Sequence, residues 1–341
     1  MRKIAKVLSL FTAMVVIITS SIIYVDASSI MYKGFSVELN GTTSTAKILE
    51  YNGDQADITI PATVYGYEVT AIDEYAFFNN SVIENVTFNN TVKSIGFMAF
   101  AQCPNLKTVI LPVRLESFGQ SVFYSCPSLT EVYFNSPVET LPASTFANCT
   151  SLTTVRLNYG VKNIGYGAFS GCTSMVDFPS AYGITTIGDY AFYNCGFTNV
   201  YLNNNVTSIG DSAFKNCSAL SQIYIANPEV AVAKDTFSNC SESLSISAPM
   251  ESTVKDYCEQ NGIGFNPIGL YGDINDDGKI NVKDVTYLQK HLAGFEDFKI
   301  VDGSRAFYAA DVNGNGDLEI TDCTTIMKYA VRAIDKFPVE Q

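Results

Sequence analysis

Two stretches near the C-terminal end of this 341-residue chain carry oxygen-bearing side chains at alternating positions. The first runs Asp273, Asn275, Asp277, Lys279, Asn281 and Asp284; the second, thirty-eight residues on, runs Asp311, Asn313, Asn315, Asp317, Glu319 and Asp322. Carboxylate and amide oxygens are hard donors, and calcium takes about six to eight of them at roughly 2.3–2.6 Å. In a twelve-residue calcium loop, positions 1, 3 and 5 are Asp273, Asn275 and Asp277, then Asp311, Asn313 and Asn315. Position 6 must turn sharply, and Gly278 and Gly316 stand there. Position 7 offers a main-chain oxygen, from Lys279 and Asp317, so the lysine side chain is no objection. Asn281 or Glu319 at position 9 can act through water, and Asp284 or Asp322 closes the loop at position 12. One such loop could be a solvated Asp/Asn turn. Two with every liganding position filled predict two bound Ca2+ ions.

Little else in the chain could do chemistry. His291 is the only histidine, on a predicted helix beside Lys290, and is expected at the surface. A Ser-His-Asp triad or a His-rich zinc site has no raw material. Carboxylates such as Asp189 and Asp211 fall at turns of a small repeat, with no deep cleft for a glycosidase pair. No enzyme is expected. The formal charge is −13, with no basic patch, so nucleic acid and anionic lipid are excluded as partners while calcium meets a favourable field.

The N-terminal residues bear on compartment. Arg2, Lys3 and Lys6 precede an apolar run from Val7 to Val25, and Val25-Asp26-Ala27 offers small side chains where a signal peptidase reads. Cleavage is expected after Ala27, leaving a secreted chain with no membrane segment; left uncut, the run is long enough to span a bilayer. The signal has no Cys to carry a lipid. Leu141-Pro142-Ala143-Ser144-Thr145 is internal and lacks the closing Gly of a sortase signal.

Most of the chain between these ends is a repeat. Phe77, Phe100, Phe123, Phe146, Phe169, Phe192, Phe214 and Phe237 are spaced 23 residues apart, with a single interval of 22. Five residues before each stands an apolar residue, from Ile72 and Ile95 to Ile209 and Val232; three after stands Asn80, then Cys103, Cys126, Cys149, Cys172, Cys195, Cys217 and Cys240. In the unit from Val92 to Val113, Met98-Ala99-Phe100 is expected to form a tight helical or 3₁₀ turn that drives Phe100 inward. Cys103-Pro104 turns the chain, and a strand follows with Leu106, Val109 and Leu111 inward and Thr108 and Ile110 outward. One unit cannot bury its apolar side alone, but eight stacked units form a continuous core. The cysteine column then reads as a ladder of buried thiols. Disulfides between adjacent rungs are the alternative, but they need Cβ atoms about 3.8 Å apart, whereas rungs sit nearer 4.8 Å.

The pattern Ile187-Gly188-Asp189-Tyr190-Ala191-Phe192, with its Cys, Leu and Val columns, resembles the BspA-type leucine-rich repeat over about residues 34–268. The resemblance implies a β-rich N-terminal cap over 28–68, a solenoid over 69–240 and a C-terminal cap over 241–268, engaged in recognition rather than catalysis. The calcium pair departs from an ordinary EF-hand: position 12 is Asp, and no helix precedes the first loop. Both departures are similar to the type I dockerin, covering 269–341, in which two loop–helix halves pack antiparallel and dock on a cohesin module of a scaffolding protein. Residues matching the recognition positions are Val282, Lys283, Ile320 and Thr321, with Gln289, Lys290, Met327 and Lys328 further along the helices. The two halves differ there, which puts a symmetric two-way docking in doubt. The expected fold class is α+β, a leucine-rich-repeat solenoid followed by a small all-α dockerin. The resemblance implies a secreted component of a cellulosome-like complex. The solenoid's ligand stays open between a protein or cell surface, a polysaccharide reached through Tyr133, Tyr201 and Tyr224, and none, the solenoid then being a spacer.

Overall fold

The computed structural model describes residues 29–158, 160–179, 183–249, 252–268, 271–275, 279–301, 305–334 and 337–338. The expected signal segment, and with it Asp277 and Gly278, lies outside the described residues.

Most solenoid coils contribute two short strands to two parallel ladders. In the first, Asp57–Thr59, Asn85–Thr87, Thr108–Ile110, Glu131–Tyr133 and Thr154–Arg156 pair in register, so that Val86, Val109 and Val132 stack. Val109 is buried and Ile110 is 52% exposed, the alternation a pleated strand imposes. The second ladder is built from two-residue strands such as Asn163–Ile164, Thr186–Ile187 and Ser208–Ile209, which bring the apolar column five residues before each Phe into the core. The first ladder stops at Thr154–Arg156 and resumes with Asn199–Leu202, Gln222–Ile225, Ser245–Pro249 and Gly264–Ile268. Between the two runs Phe178 packs its ring against Phe192, Phe197 and Phe214.

The Phe column is the spine of the core. Rings from Phe77 to Phe237 stack in sequence, with centroids 4.4–5.5 Å apart and planes within 21° of parallel. All eight are buried, and each such burial contributes about 1.5–3 kcal/mol against an exposed ring. The nine cysteines are free. Seven of them donate Sγ–H to the carbonyl of the Phe in the coil before, from Cys103 to Phe77 through Cys240 to Phe214, at 3.1–3.2 Å. Burial pushes the Cys217 thiol up to about 12 and that of Cys240 up to about 11, so both stay protonated and able to donate at neutral pH.

The turn that carries each Phe is not helical, contrary to the expected helical or 3₁₀ turn; described residues between 69 and 240 contain no helix. Around seven of the eight Phe residues, the positions two before and two after have positive φ, as at Met98 and Gln102 around Phe100, Ser144 and Asn148 around Phe146, and Tyr190 and Asn194 around Phe192. Alternating handedness turns successive amides along the stack. Tyr75, Phe77 and Asn79 donate their N–H groups to the carbonyls of Phe97, Ala99 and Ala101 in the next coil. A helix would close its hydrogen bonds within the coil and leave this third inter-coil ladder unmade. Asp189 and Asp211 extend it, their side chains accepting the amides of Asp211 and Asp235; these acids are structural.

Both ends of the stack are covered. An antiparallel pair, Phe35–Asn40 with Thr45–Tyr51, joins Tyr67–Ile72 and lays Tyr51 on Phe77 at 5.8 Å. At the other end helix α1 (Thr253–Asn261) buries Val254 and Cys258, and Gly262 at φ 67° ends it. Tyr257 closes the ring column edge-on against Phe237 at 5.9 Å.

The C-terminal region has its own core. Helix α2 (Val282–Leu292), the short α3 (Arg305–Ala310) and α4 (Ile320–Ala330) surround Ile274, Val285, Leu288, Phe307, Ile326 and Phe337. Leu292, Met327 and Ile334 pack against this cluster, as the apolar helix faces require. Tyr201 and Tyr224 from the solenoid strands do the same, and Tyr271 donates its hydroxyl to the Ala226 carbonyl at 3.3 Å. The fold therefore turns two of the three candidate sugar platforms into packing against the helical region, and Tyr133 is held by Glu131 and faced by Arg156.

Candidate metal centre

Four charged side chains are buried among the described residues: Asp273, Asp284, Asp311 and Asp322, positions 1 and 12 of the two loops. Each helix begins on the closing acid of its loop. Asp284 stands at the third position of α2 and accepts the Asn281 amide at 2.9 Å, while Asn281 accepts from Lys283. Asp322 stands at the third position of α4 and accepts the Glu319 amide at 3.0 Å. The same carboxylates reach back into the loops. Asp284 Oδ1 accepts the amides of Ile274 and Asn275 at 3.0 and 3.3 Å, and Asp322 Oδ1 accepts Asn313 Nδ2 at 2.9 Å. The helix start and the loop are thereby one unit.

The second loop is the more fully described. Asp311 accepts three loop amides, from Gly314, Asn315 and Gly316, at 2.8–3.1 Å. Gly316 makes the sharp turn at φ 83°, a backbone region that costs a side-chain-bearing residue about 1 kcal/mol or more. Asn313 Oδ1 accepts the Asn315 amide, and Asn315 Nδ2 donates to Glu319 Oε1 at 2.7 Å. Positions 1, 3, 5, 9 and 12 thus face one another. Lys279, Asp317 and Glu319 are exposed at the rim, and Asn275 and Asn281 are half-buried.

Electrostatics favour a cation here. Burial pushes Asp322 up to about 6, and burial likewise raises Asp311, partly offset by its backbone amides. No Lys or Arg among the described residues pairs with Asp284, Asp311 or Asp322. An uncompensated buried carboxylate costs several kcal/mol, of order the full stability of a small module. The donor set is oxygen only, rich in amide and main-chain groups, which suits a hard divalent ion. His, Cys, Asp and Glu side chains form no cluster of three among the described residues.

The repeats and loops can now be set beside known proteins. A family model for the BspA type leucine-rich repeat region matches in six copies over residues 49–176 and 173–262. The chain belongs to the BspA-type leucine-rich-repeat family. In this family member a dockerin type I domain follows, matching residues 271–330. Type I dockerins bind calcium and are typical of extracellular assemblies, and neither module type is catalytic. Among solved structures it is similar to a leucine-rich repeat protein from Bacteroides ovatus, 21% identical with a TM-score of 0.47 over 64% of this chain and 70% of that one. One from Eubacterium ventriosum is 21% identical with a TM-score of 0.47, over 61% of this chain and 50% of that one. A leucine-rich cell surface protein from Faecalibacterium prausnitzii is 22% identical with a TM-score of 0.35, over 70% and 94%. No curated protein matches the chain. No described helix is long and apolar enough to cross a membrane.

The residues expected at the cohesin surface divide in two. Val282 and Ile320, the first residues of α2 and α4, are 58% and 65% exposed. Lys283, Gln289, Thr321 and Lys328 are exposed as well. Lys290 instead sits with its ammonium 4.1 Å above the Phe298 ring, and Met327 leans on the dockerin core. His291, expected at the surface, is half-buried, and its Nδ1 accepts the Ile300 amide at 3.1 Å, fixing the turn after α2.

Proposed function

We propose that the protein is a secreted, non-catalytic component of a cohesin–dockerin assembly of the cellulosome kind. Its dockerin binds two calcium ions and docks on a cohesin of a scaffolding protein, while the solenoid recognises a protein or cell-surface partner. The observation that supports this reading is the burial of the aspartates at positions 1 and 12 of both loops, where a bound cation would offset the cost of the buried charge. Asp273, Asn275, Asp277, Asn281 and Asp284, with the Lys279 main-chain oxygen, would hold one ion. Asp311, Asn313, Asn315, Glu319 and Asp322, with the Asp317 main-chain oxygen, would hold the other. Each ion supplies positive charge where the loop meets its helix; the carboxylates orient the loop amides and cap α2 and α4.

That geometry presents Val282 and Ile320 outward at equivalent places, each followed by a different residue, Lys283 or Thr321. The two ends therefore offer unlike surfaces, one with exposed Lys279 and Lys283 and one with exposed Asp317 and Glu319. Immobilised type I cohesin should capture the full chain in calcium and release it in chelator. Lys283→Glu and Lys328→Glu should weaken capture by different factors. Equal losses would indicate two interchangeable docking modes, and no capture by any type I cohesin would remove the assembly reading.

A further inference from the structure

Five successive coils of the solenoid form a cleft of about 480 Å³ on the face that carries the Phe turns. Its floor is small: Ala147 and Ser170 follow Phe146 and Phe169, and Ser144 and Gly167 precede them by two. Tyr124 rises one coil before this floor, and Tyr190 and Tyr193 rise one coil after it. Tyr166 stands on the floor and is 57% exposed. The cleft exists because the Phe169 coil carries glycine where the Phe192 coil carries Tyr190. A Cβ built on Gly167 meets its nearest atom, Ser144 Oγ, only at 3.7 Å.

The walls are prepared for a ligand that is apolar on its faces and polar at its edges. Tyr190 lies 5.5 Å from Tyr166 and 5.8 Å from Tyr193, tilted by 50° and 47°, so the rings do not cover one another face to face. Asn148 donates to the Tyr124 hydroxyl at 3.3 Å, and Asn216 donates to the Tyr193 hydroxyl at 2.6 Å. Each of those hydroxyls, having accepted, keeps its own proton to donate. They stand three coils apart, roughly 14 Å at about 4.8 Å per rung. Lys215 is the single charged group in the lining, which holds no carboxylate.

We propose that this cleft binds a short stretch of neutral oligosaccharide. The C–H face of a sugar ring carries the positive polarisation that the negative face of a tyrosine attracts. Its ring of hydroxyls both donates and accepts, matching Tyr, Asn and Ser groups that also do both. A proline-rich peptide offers carbonyl acceptors but few donors, and an anionic chain meets one cation on a protein whose formal charge is −13. The inference rests on the reading of the solenoid as the recognition part and is independent of what the dockerin binds.

Affinity electrophoresis of the full calcium-loaded chain through arabinoxylan, galactomannan and mixed-linkage β-glucan tests it, with pectin as the anionic comparison. At least one neutral polysaccharide should retard the protein, and Tyr166→Ala should weaken that retardation by about tenfold, the loss of one stacked ring. Gly167→Tyr should abolish it by filling the cleft. This variant is compatible with the fold, since Tyr75 and Tyr190 occupy the same column position at φ 60° and 57°. Cohesin capture should be unchanged in both variants, which separates failure here from failure of the dockerin reading. Absence of retardation in all three neutral gels, retardation by pectin alone, or retardation that survives Gly167→Tyr would overturn the proposal. Capture of a proline-rich peptide array through the same tyrosines would overturn the ligand class.

Discussion

The solenoid and the dockerin bury opposite kinds of group. The solenoid core holds stacked phenylalanines, aliphatic columns and protonated thiols, and every buried charge among the described residues lies in the dockerin. A repeat gains stability by adding the same apolar contact again, so its core grows with its length. The dockerin has only about sixty residues around a small cluster, and a module of that size is marginal in the apolar area it buries. Its four buried aspartates should make its stability depend on bound cations. One region is therefore expected to stay folded without ions, and the other to need them.

Removing calcium should expose that contrast most sharply. In chelator the full chain should lose the helical part of its circular dichroism and the thermal transition belonging to the dockerin, while the solenoid transition stays where it was. Calcium at about a thousand times its dissociation constant should restore about 4 kcal/mol per site. Asp273→Ala and Asp311→Ala should each reduce the titrated stoichiometry by one ion. A single transition that ignores chelator would contradict the comparison outright. The matching blow to the solenoid is Phe169→Ala, expected to cost about 3–5 kcal/mol in urea unfolding of the solenoid phase, with or without calcium.

Acidity should act on the dockerin alone. Burial holds Asp322 at about 6 when folded, above the roughly 3.9 of an unfolded aspartate, so the ion-free folded module takes up its proton more readily than the unfolded chain. Its stability is present below the unfolded value and is lost as pH rises through about 6. Melting the chain free of calcium should recover a dockerin transition at about pH 5 that is missing at about pH 7.5, with the solenoid transition unmoved. Calcium should reverse this order, because it binds the ionised carboxylate. An ion-free transition that rises with pH would show that the buried acids are compensated by something other than a cation.

The smallest effect concerns the contact between the regions. Tyr224→Ala removes a ring that packs on the dockerin cluster from the solenoid strands. It should lower the calcium-loaded dockerin transition by about 1 kcal/mol in free energy, since only a partly buried ring is lost. A larger loss, or a matching drop in cohesin capture, would mean that the regions fold as one.

Much of this was legible before the fold. The Phe and Cys columns show in the spacing because stacked coils place equivalent residues over one another, and the loops show because calcium fixes which positions carry oxygen. The turn around each Phe was misread, since a short apolar turn suits several backbone conformations. The asparagines two residues after Phe, at 79, 148, 194, 216 and 239, were the available signal, because Asn tolerates positive φ better than most residues. His291 was placed at the surface because nothing local announces the Ile300 amide it accepts.

Sequence alone determined what repeats: the period, the inward columns, the duplicated loops and the acid that closes each one. These are properties of residue type at fixed intervals, and periodicity carries them without coordinates. Tertiary structure decided what no interval contains. It set alternating handedness around Phe, because only stacked coils reward amides that point along the stack. It turned Tyr201 and Tyr224 into an interface, because the dockerin core rests on them. It opened the tyrosine cleft, because Ala147, Gly167 and Ser170 leave space only when larger neighbours rise on either side.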